Sequence, residues 1–280
     1  MISEKISIII PVKDNQSGVE RFLHSFFETQ FIENYPEEIL IVDNDSEVPI
    51  RIPDLYKNKN LDINLFQFAK QGPACARNFG AKNAKAEWLL FIDSDCVASK
   101  TTITGYLDLG LESSVAGYQG FVGALGKDFI SRYYESQEIH QAPKMRNSCG
   151  QLTPKYLVAA NILINKKSFN QINGFDERYV FGGEDIDFGI RLSKIGRLQF
   201  ANEAIVLHNY NDGLKGFVRR FIEYGKGNRL VEKNNEIHLI PLPFTAKKKT
   251  ILINHLLSIL QWACLLIGYL MMNQQIRKNS

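Results

Sequence analysis

Three apolar runs in the first hundred residues each stop at acidic or amide side chains. KISIIIPV (5–12) leads to Asp14 and Asn15, EEILIVDND (37–45) ends in Asp43, Asn44 and Asp45, and EWLLFIDSDC (87–96) runs into Asp93 and Asp95. The runs are apolar and β-branched without polar alternation, the pattern of strands buried on both faces. Helix-like stretches separate them. SGVERFLHSFFETQF (17–31) puts Val19, Phe22, Leu23, Phe26 and Phe27 on one face, with Ser17 and Glu20 at capping-box spacing. DINLFQFA (62–69) reads as a further strand and GPACARNFGAKNAKA (72–86) as a helix. Repeated β-α units predict an α/β fold with a Rossmann-like, mostly parallel central sheet flanked by helices. In such sheets ligands bind beyond the carboxyl ends of the strands, so one edge is expected to gather the carboxylates. No GxGxxG follows the first strand and no Walker A motif occurs, which argues against a dinucleotide site and a P-loop.

The second half is less regular. HQAPKMRNSCGQLTPKY (140–156) reads as a loop-rich lid and LVAANILI (157–164) as a strand. Gly182 and Gly183 precede a predicted helix, so Glu184 and Asp185 fall in its first turn, where the helix dipole favours negative charge. LQFANEAIVLHNY (198–210) reads as a strand carrying His208.

A net charge of +3 hides an asymmetry. Residues 215–280 hold eleven Lys and Arg against three Glu, whereas the preceding 214 residues carry a net −5. Basic tails of this kind meet anionic membranes or nucleic acid. Within this tail, ILINHLLSILQWACLLIGYLMM (251–272) would form a helix about 33 Å long, enough to cross a bilayer. Asn254, Ser258 and Gln261 make a polar stripe along it, beside His255. The stripe suits a helix lying in a membrane interface, one packed on a partner, or a buried C-terminal helix. Lys247–Lys249 and Arg277–Lys278 flank both ends. The four cysteines show no metal-site spacing and read as reduced thiols. The early Glu4 and short apolar run argue against a signal peptide. The expected location is the cytoplasm, at the cytoplasmic face of the membrane.

ISIIIPVKDN, ILIVDNDS, GPACARNFGAKNAKAEWLLFIDSDC, NGFDERYVFGGEDIDFGIRL and VLHN, in this order from Ile6 to about Leu230, resemble the inverting family-2 glycosyltransferases of GT-A fold. The resemblance implies that Asp93 and Asp95 hold a divalent metal, Mn²⁺ or Mg²⁺, on the donor diphosphate, with His208 completing its shell. It assigns Asp43 to the nucleoside and Asp14 to the neighbourhood of the base, and puts Pro11, Arg77 and Ser94 with them on the donor side. It makes Asp185 the general base and Glu184 the acceptor-binding residue. The donor it implies is a nucleoside-diphosphate sugar, a UDP-sugar foremost, and the acceptor a glycan, a lipid-linked molecule or a peptide. A membrane surface is expected to meet residues 247–278, and no nucleic acid is expected to bind. The corresponding division is a nucleotide-sugar half (1–97), an acceptor half of the same domain (98–212) and a basic, apolar helical tail (213–280).

The residues themselves keep other readings open. Carboxylates at i and i+2 of an extended strand point to one side and repel unless a cation sits between them, but the pair also suits a helix cap. Asp14 and Asp43 also suit turns, Arg77 a solvated helix charge, and His208 a surface strand end. Lys13 stands where many relatives carry an aromatic residue, and Phe181 where Trp is common. Q-x-x-R-W, the mark of processive synthases, is absent, which favours transfer of a single sugar. The rival functions are nucleotidyl transfer and non-catalytic nucleotide-sugar binding on a membrane.

Overall fold

The structure, a computed structural model, describes residues 5–30, 33, 36–57, 59–70, 72–235, 237–247 and 252–278. Phe31 of the first predicted helix, and Lys248, Lys249 and Ile251 of the tail, lie outside them.

The first half runs β1 (Ile6–Val12), α1 (Gln16–Thr29), β2 (Glu38–Asp43), α2 (Asp54–Lys57), β3 (Asp62–Gln67), α3 (Pro73–Asn83), β4 (Trp88–Ile92). There follow β5 (Cys96–Ala98), α4 (Thr104–Leu107), β6 (Val115–Ala124), α5 (Phe129–Gln137), β7 (Lys144–Arg146), β8 (Leu152–Pro154), β9 (Asn161–Asn165), α6 (Lys166–Gln171), α7 (Glu184–Ser193), β10 (Arg197–His208), α8 (Gly213–Asn235) and α9 (Leu252–Lys278). Eight strands form one sheet in the order β3-β2-β1-β4-β9-β6-β10-β5. The β3-β2-β1-β4 block is parallel, as is the β6-β10 pair; β9 runs antiparallel to both β4 and β6, and β5 antiparallel to β10. The mostly parallel α/β sheet expected from the sequence is therefore present, with two reversed strands.

Alternate residues of β1 serve different cores. Ile8 and Ile10 pack with Phe22, Leu23 and Phe26 of α1, while Ile9 packs on the other face with Ala74 and Ala81 of α3 and with Phe188 and Leu192 of α7. This two-sided burial is why the strand runs show no alternation. A third core joins α5, α8 and α9 through Tyr133, Tyr134, Phe217, Phe221, Leu257 and Cys264. There α8 and α9 touch through their backbones: a Cβ on Gly268 would lie 1.9 Å from the Ile222 carbonyl oxygen.

Two local expectations are corrected, and one open reading of the tail is narrowed. Asn15, rather than Ser17, caps α1, its side chain accepting from Gly18 N at 3.0 Å. It is also tied to Ser94 by its own amide, so it fixes the helix start against the β4 turn. The expected lid contains a hairpin, β7 paired antiparallel with β8. Asn147 closes its turn by accepting from the Cys149 and Gln151 amides. Finally, Asn254, Ser258 and Gln261 of α9 are buried against the protein.

Candidate active site

Beyond the carboxyl ends of β1, β2 and β4 lies a cavity of about 900 Å³. Strand β4 ends at Ile92, and residues 93–96 turn back, with Cys96 N donating to Asp93 O at 3.0 Å. The D-x-D triplet is thus a turn rather than an extended strand. Its carboxylates engage separate partners: Arg77 Nη2 donates to Asp93 Oδ1 at 2.6 Å, and His208 Nε2 lies 3.0 Å from Asp95 Oδ1. Asp93 therefore has the Arg77 guanidinium as its partner, whereas Asp95 faces an imidazole nitrogen.

Arg77 reaches the site from α3 and is not a solvated helix charge. It is buried, and its Nη1 also donates to Glu184 Oε1 at 2.8 Å. Burial opposes its charge, but Asp93 and Glu184 outweigh burial and raise its pKa above the ordinary arginine value. Glu184 opens α7 directly after Gly182 and Gly183, both with left-handed φ (105° and 88°). A Cβ on Gly183 would sit 3.1 Å from the Gly227 carbonyl of α8, so this turn requires glycine on both counts.

Asp185 follows. Its Oδ1 accepts from Ile186 N at 2.8 Å and its Oδ2 from Ala159 N at 3.3 Å. Burial, then the neighbouring Glu184 carboxylate, push its pKa up to about 7, against the pull of Arg77. A carboxylate so placed is a far stronger base than an exposed aspartate, and about half of it is ionised at neutral pH.

On the opposite wall, β10 carries His208 across from Cys96. Burial pushes Asp95 upward, but His208 overcomes this and holds it at about 2. The His208 ring lies against Tyr210 and His140, with centroids 4.3 Å and 4.6 Å away. His140 Nδ1 is 2.6 Å from the Tyr210 hydroxyl and its Nε2 is 3.0 Å from that of Tyr224. Burial and His208 keep His140 well below the usual histidine range, hence neutral.

A divalent cation fits part of this wall. Among the described residues, ligand atoms of Asp95, Cys96 and His208 lie within 4.8 Å of one another. The His208 Nδ1 is buried without a hydrogen-bond partner. Carboxylate oxygen and imidazole nitrogen suit Mn²⁺. Burial drives the Cys96 thiol far above its usual pKa, so it stays protonated and is a poor ligand. Asp93, expected as a ligand, stands outside this cluster and is bonded to Arg77.

Pro11, Arg77, Asp93, Ser94, Asp95, Glu184, Asp185 and His208 line the one cavity. Two expected donor residues lie elsewhere. Both Asp43 oxygens accept backbone amides, from Ser46 at 3.1 Å and Ile50 at 3.0 Å, and its neighbour Asn44 forms the wall. Asp14, at a left-handed φ of 52°, accepts from Glu47 N and lines a separate groove. Turn chemistry accounts for both. The sequence reading missed His140, Arg220, Tyr224 and Gln261, which also line the cavity. Arg220, Tyr224 and Asn228 recur every four residues along α8, a legible polar stripe. His140 carries no such signal.

Comparison with known proteins places the fold and the family. Residues 145–209 match the N-terminal domain of galactosyltransferase. The chain is 27% identical over 229 residues to a pre-mycofactocin glycosyltransferase of Mycobacterium tuberculosis, covering 79% of this chain but 46% of that protein, so it spans about half the length of that relative. A 100-residue stretch is 29% identical to the poly(ribitol-phosphate) beta-N-acetylglucosaminyltransferase TarS of Staphylococcus aureus, covering 35% of this chain and 18% of TarS. A structure of TarS with UDP-GlcNAc superposes with a TM-score of 0.57 at 18% identity, covering 82% of this chain and 71% of that one. A mannosyltransferase from Pyrobaculum calidifontis with GDP-mannose and Mn²⁺ gives 0.58 at 13% identity, covering 99% and 76%. These likenesses establish the GT-A fold. Because residues 7–172, more than half of the chain, match the glycosyl transferase family 2 pattern, the chain belongs to that family.

Proposed function

We propose that this chain transfers a single sugar, with inversion, from a nucleoside-diphosphate sugar to an acceptor hydroxyl. The observation that carries this reading is the bridge from half-buried Asp93 through buried Arg77 to buried Glu184. It joins the end of β4, where a donor would sit, to the start of α7, beside the base Asp185. In this reading residues 1–97 would serve the donor and 98–212 the acceptor, and the bridge runs between members of the two. The relatives crystallised with UDP-GlcNAc and with GDP-mannose and Mn²⁺ support a nucleotide-sugar donor.

Asp95 and His208 would hold Mn²⁺ or Mg²⁺, with Asp93 adjoining. When bound, the cation would neutralise charge on the leaving diphosphate. Asp185 accepts the proton of the acceptor hydroxyl as its oxygen attacks the anomeric carbon. The new C–O bond forms as the bond to the diphosphate oxygen breaks, on opposite faces, so the configuration inverts and no enzyme-bound intermediate is needed. Glu184, bonded through one oxygen to Arg77, holds the acceptor. The basic tail would bring the protein to the cytoplasmic face of a membrane.

The test incubates the protein with Mn²⁺ and a panel of nucleotide sugars that includes UDP-GlcNAc and GDP-mannose. Free nucleoside diphosphate from transfer or slow hydrolysis is expected, and NMR of the product should show the inverted anomer. Release of pyrophosphate would identify nucleotidyl transfer instead.

A further inference from the structure

The outward face of α9 is apolar, and the first half of its inward face carries polar groups among the apolar ones. Asn254, Ser258 and Gln261 face the protein, each at most 8% exposed, while Leu252, Leu256, Ile259, Ile267 and Leu270 are each at least 49% exposed. Those five recur at helical spacing and form one apolar stripe over about five turns. A helix in water has the opposite arrangement. The inward face is firmly attached. Gln261 accepts from the Tyr133 hydroxyl at 2.6 Å, the Gly225 and Gly268 contacts bring α9 against the α8 backbone, and Arg229 Nε donates to Asn273 at 3.0 Å.

We infer that α9 docks the protein on an anionic lipid surface, lying in the membrane plane with this stripe immersed and without crossing the bilayer. Charge selects the occupant: residues 215–280 carry eight more cations than anions, and Arg277 and Lys278 at the end of α9 are exposed. A second copy of the same basic face would repel. Crossing is disfavoured because α8 travels with α9, and exposed Lys215, Arg219 and Lys233 would be drawn into hydrocarbon. An in-plane helix instead leaves these groups among headgroups. The inner side of α9 also walls the cavity through Gln261 and Leu265, so the site is held beside the lipid surface. The docking itself does not depend on which reaction the cavity performs.

The test floats the full chain with vesicles of phosphatidylcholine alone and with 30% phosphatidylglycerol, a composition chosen as roughly that of an anionic leaflet. Flotation is expected only with the anionic vesicles, and the double variant Leu256→Glu, Ile259→Glu should lose it at least tenfold. Both positions lie outside the cavity, so the variant should retain its Mn²⁺-dependent donor binding. Retained donor binding without flotation of the parent would sink this inference and leave the proposed function intact. Flotation unchanged by the variant would show that another surface docks. A lipid-free dimer that the variant dissociates would identify the stripe as a contact between copies. To separate lying from crossing, Lys247→Cys and Gln275→Cys, both exposed and off the stripe, are made in a Cys149→Ser background and labelled on vesicles with an impermeant maleimide. Labelling at both ends from outside is expected, and protection of one end would mean the helix crosses.

Discussion

Arg77 Nη1 stands 2.8 Å from Glu184 Oε1 across 107 residues of chain, and both side chains are buried. With the Asp93 contact, one guanidinium balances two carboxylates from opposite sides of the cavity. Arg77→Met should therefore cost about 3–5 kcal/mol, because removing one partner strands buried charge. Arg77→Lys should recover only part, since an ammonium cannot present two separated donors from a planar fork. Urea unfolding measures both. A loss below about 1 kcal/mol for the Met variant would show that the bridge is not what holds the two walls together.

Asp185→Asn keeps the side-chain volume and removes the base. Transfer should fall by about 10²–10⁴, with donor affinity by calorimetry retained. Glu184→Gln should act mainly by raising the acceptor KM. Activity of Asp185→Asn within a few fold of the parent would eliminate it as the base.

Asp185 also fixes the pH behaviour. Its folded pKa, near 7, lies above its unfolded value, so catalysis should decline as pH falls through 7 and the carboxylate protonates. The linkage to stability has the opposite slope. Folding favours the protonated form, so this residue costs stability increasingly as pH rises from about 4 to 7. Asp185→Asn removes that cost. Its melting temperature should match the parent near pH 4 and exceed it at pH 8, by about 2–4 °C for each kcal/mol relieved. A constant difference across this range would contradict the raised pKa.

Asp95 shows the other sign. Held at about 2 in the fold, it contributes stability above the unfolded value near 3.8, which is lost as pH falls toward 2. Asp95→Asn should flatten the acid limb of the melting curve. It should also weaken Mn²⁺-dependent donor binding by a tenfold step or more, about 1.4 kcal/mol each. Mn²⁺ titration followed by electron paramagnetic resonance reads the metal directly. Equal Mn²⁺ affinity in the parent, Asp95→Asn and His208→Gln would remove the cation from this wall.

The parallel block was legible because β1, β2 and β4 are buried on both faces, leaving an uninterrupted apolar signal. Gly182–Gly183 before Glu184 likewise announced a helix start. The turn at Asp93 was not legible, since the partners that bend it, Arg77 and His208, come from distant segments. Asp43 and Asp14 share the residue type and strand-end position of the cavity residues, and only the backbone amides they accept tell them apart. The tail was legible only in part. Its polar stripe on α9 was visible, but which side it faced depended on Tyr133 and the close approach of α8. A chain cut after Phe244 would lose Leu257 and Cys264 from a core and Gln261 from the cavity, so truncation is not a clean way to release the protein from a membrane.

Strand β9 has a consequence for how the protein is made. It lies between β4 and β6, pairing Ile92 with Asn161 and Trp88 with Asn165, so β4 waits roughly 70 residues for its second neighbour. At the usual 5–20 residues per second, the nascent chain presents an apolar strand, WLLFI, with one edge unpaired for about 4–14 s after it leaves the ribosome. During that interval the N-terminal half is an open-edged sheet competent to pair with a neighbouring nascent chain. Yield in the cell should therefore depend on chaperones that cover such edges during synthesis, more than on the stability of the finished fold.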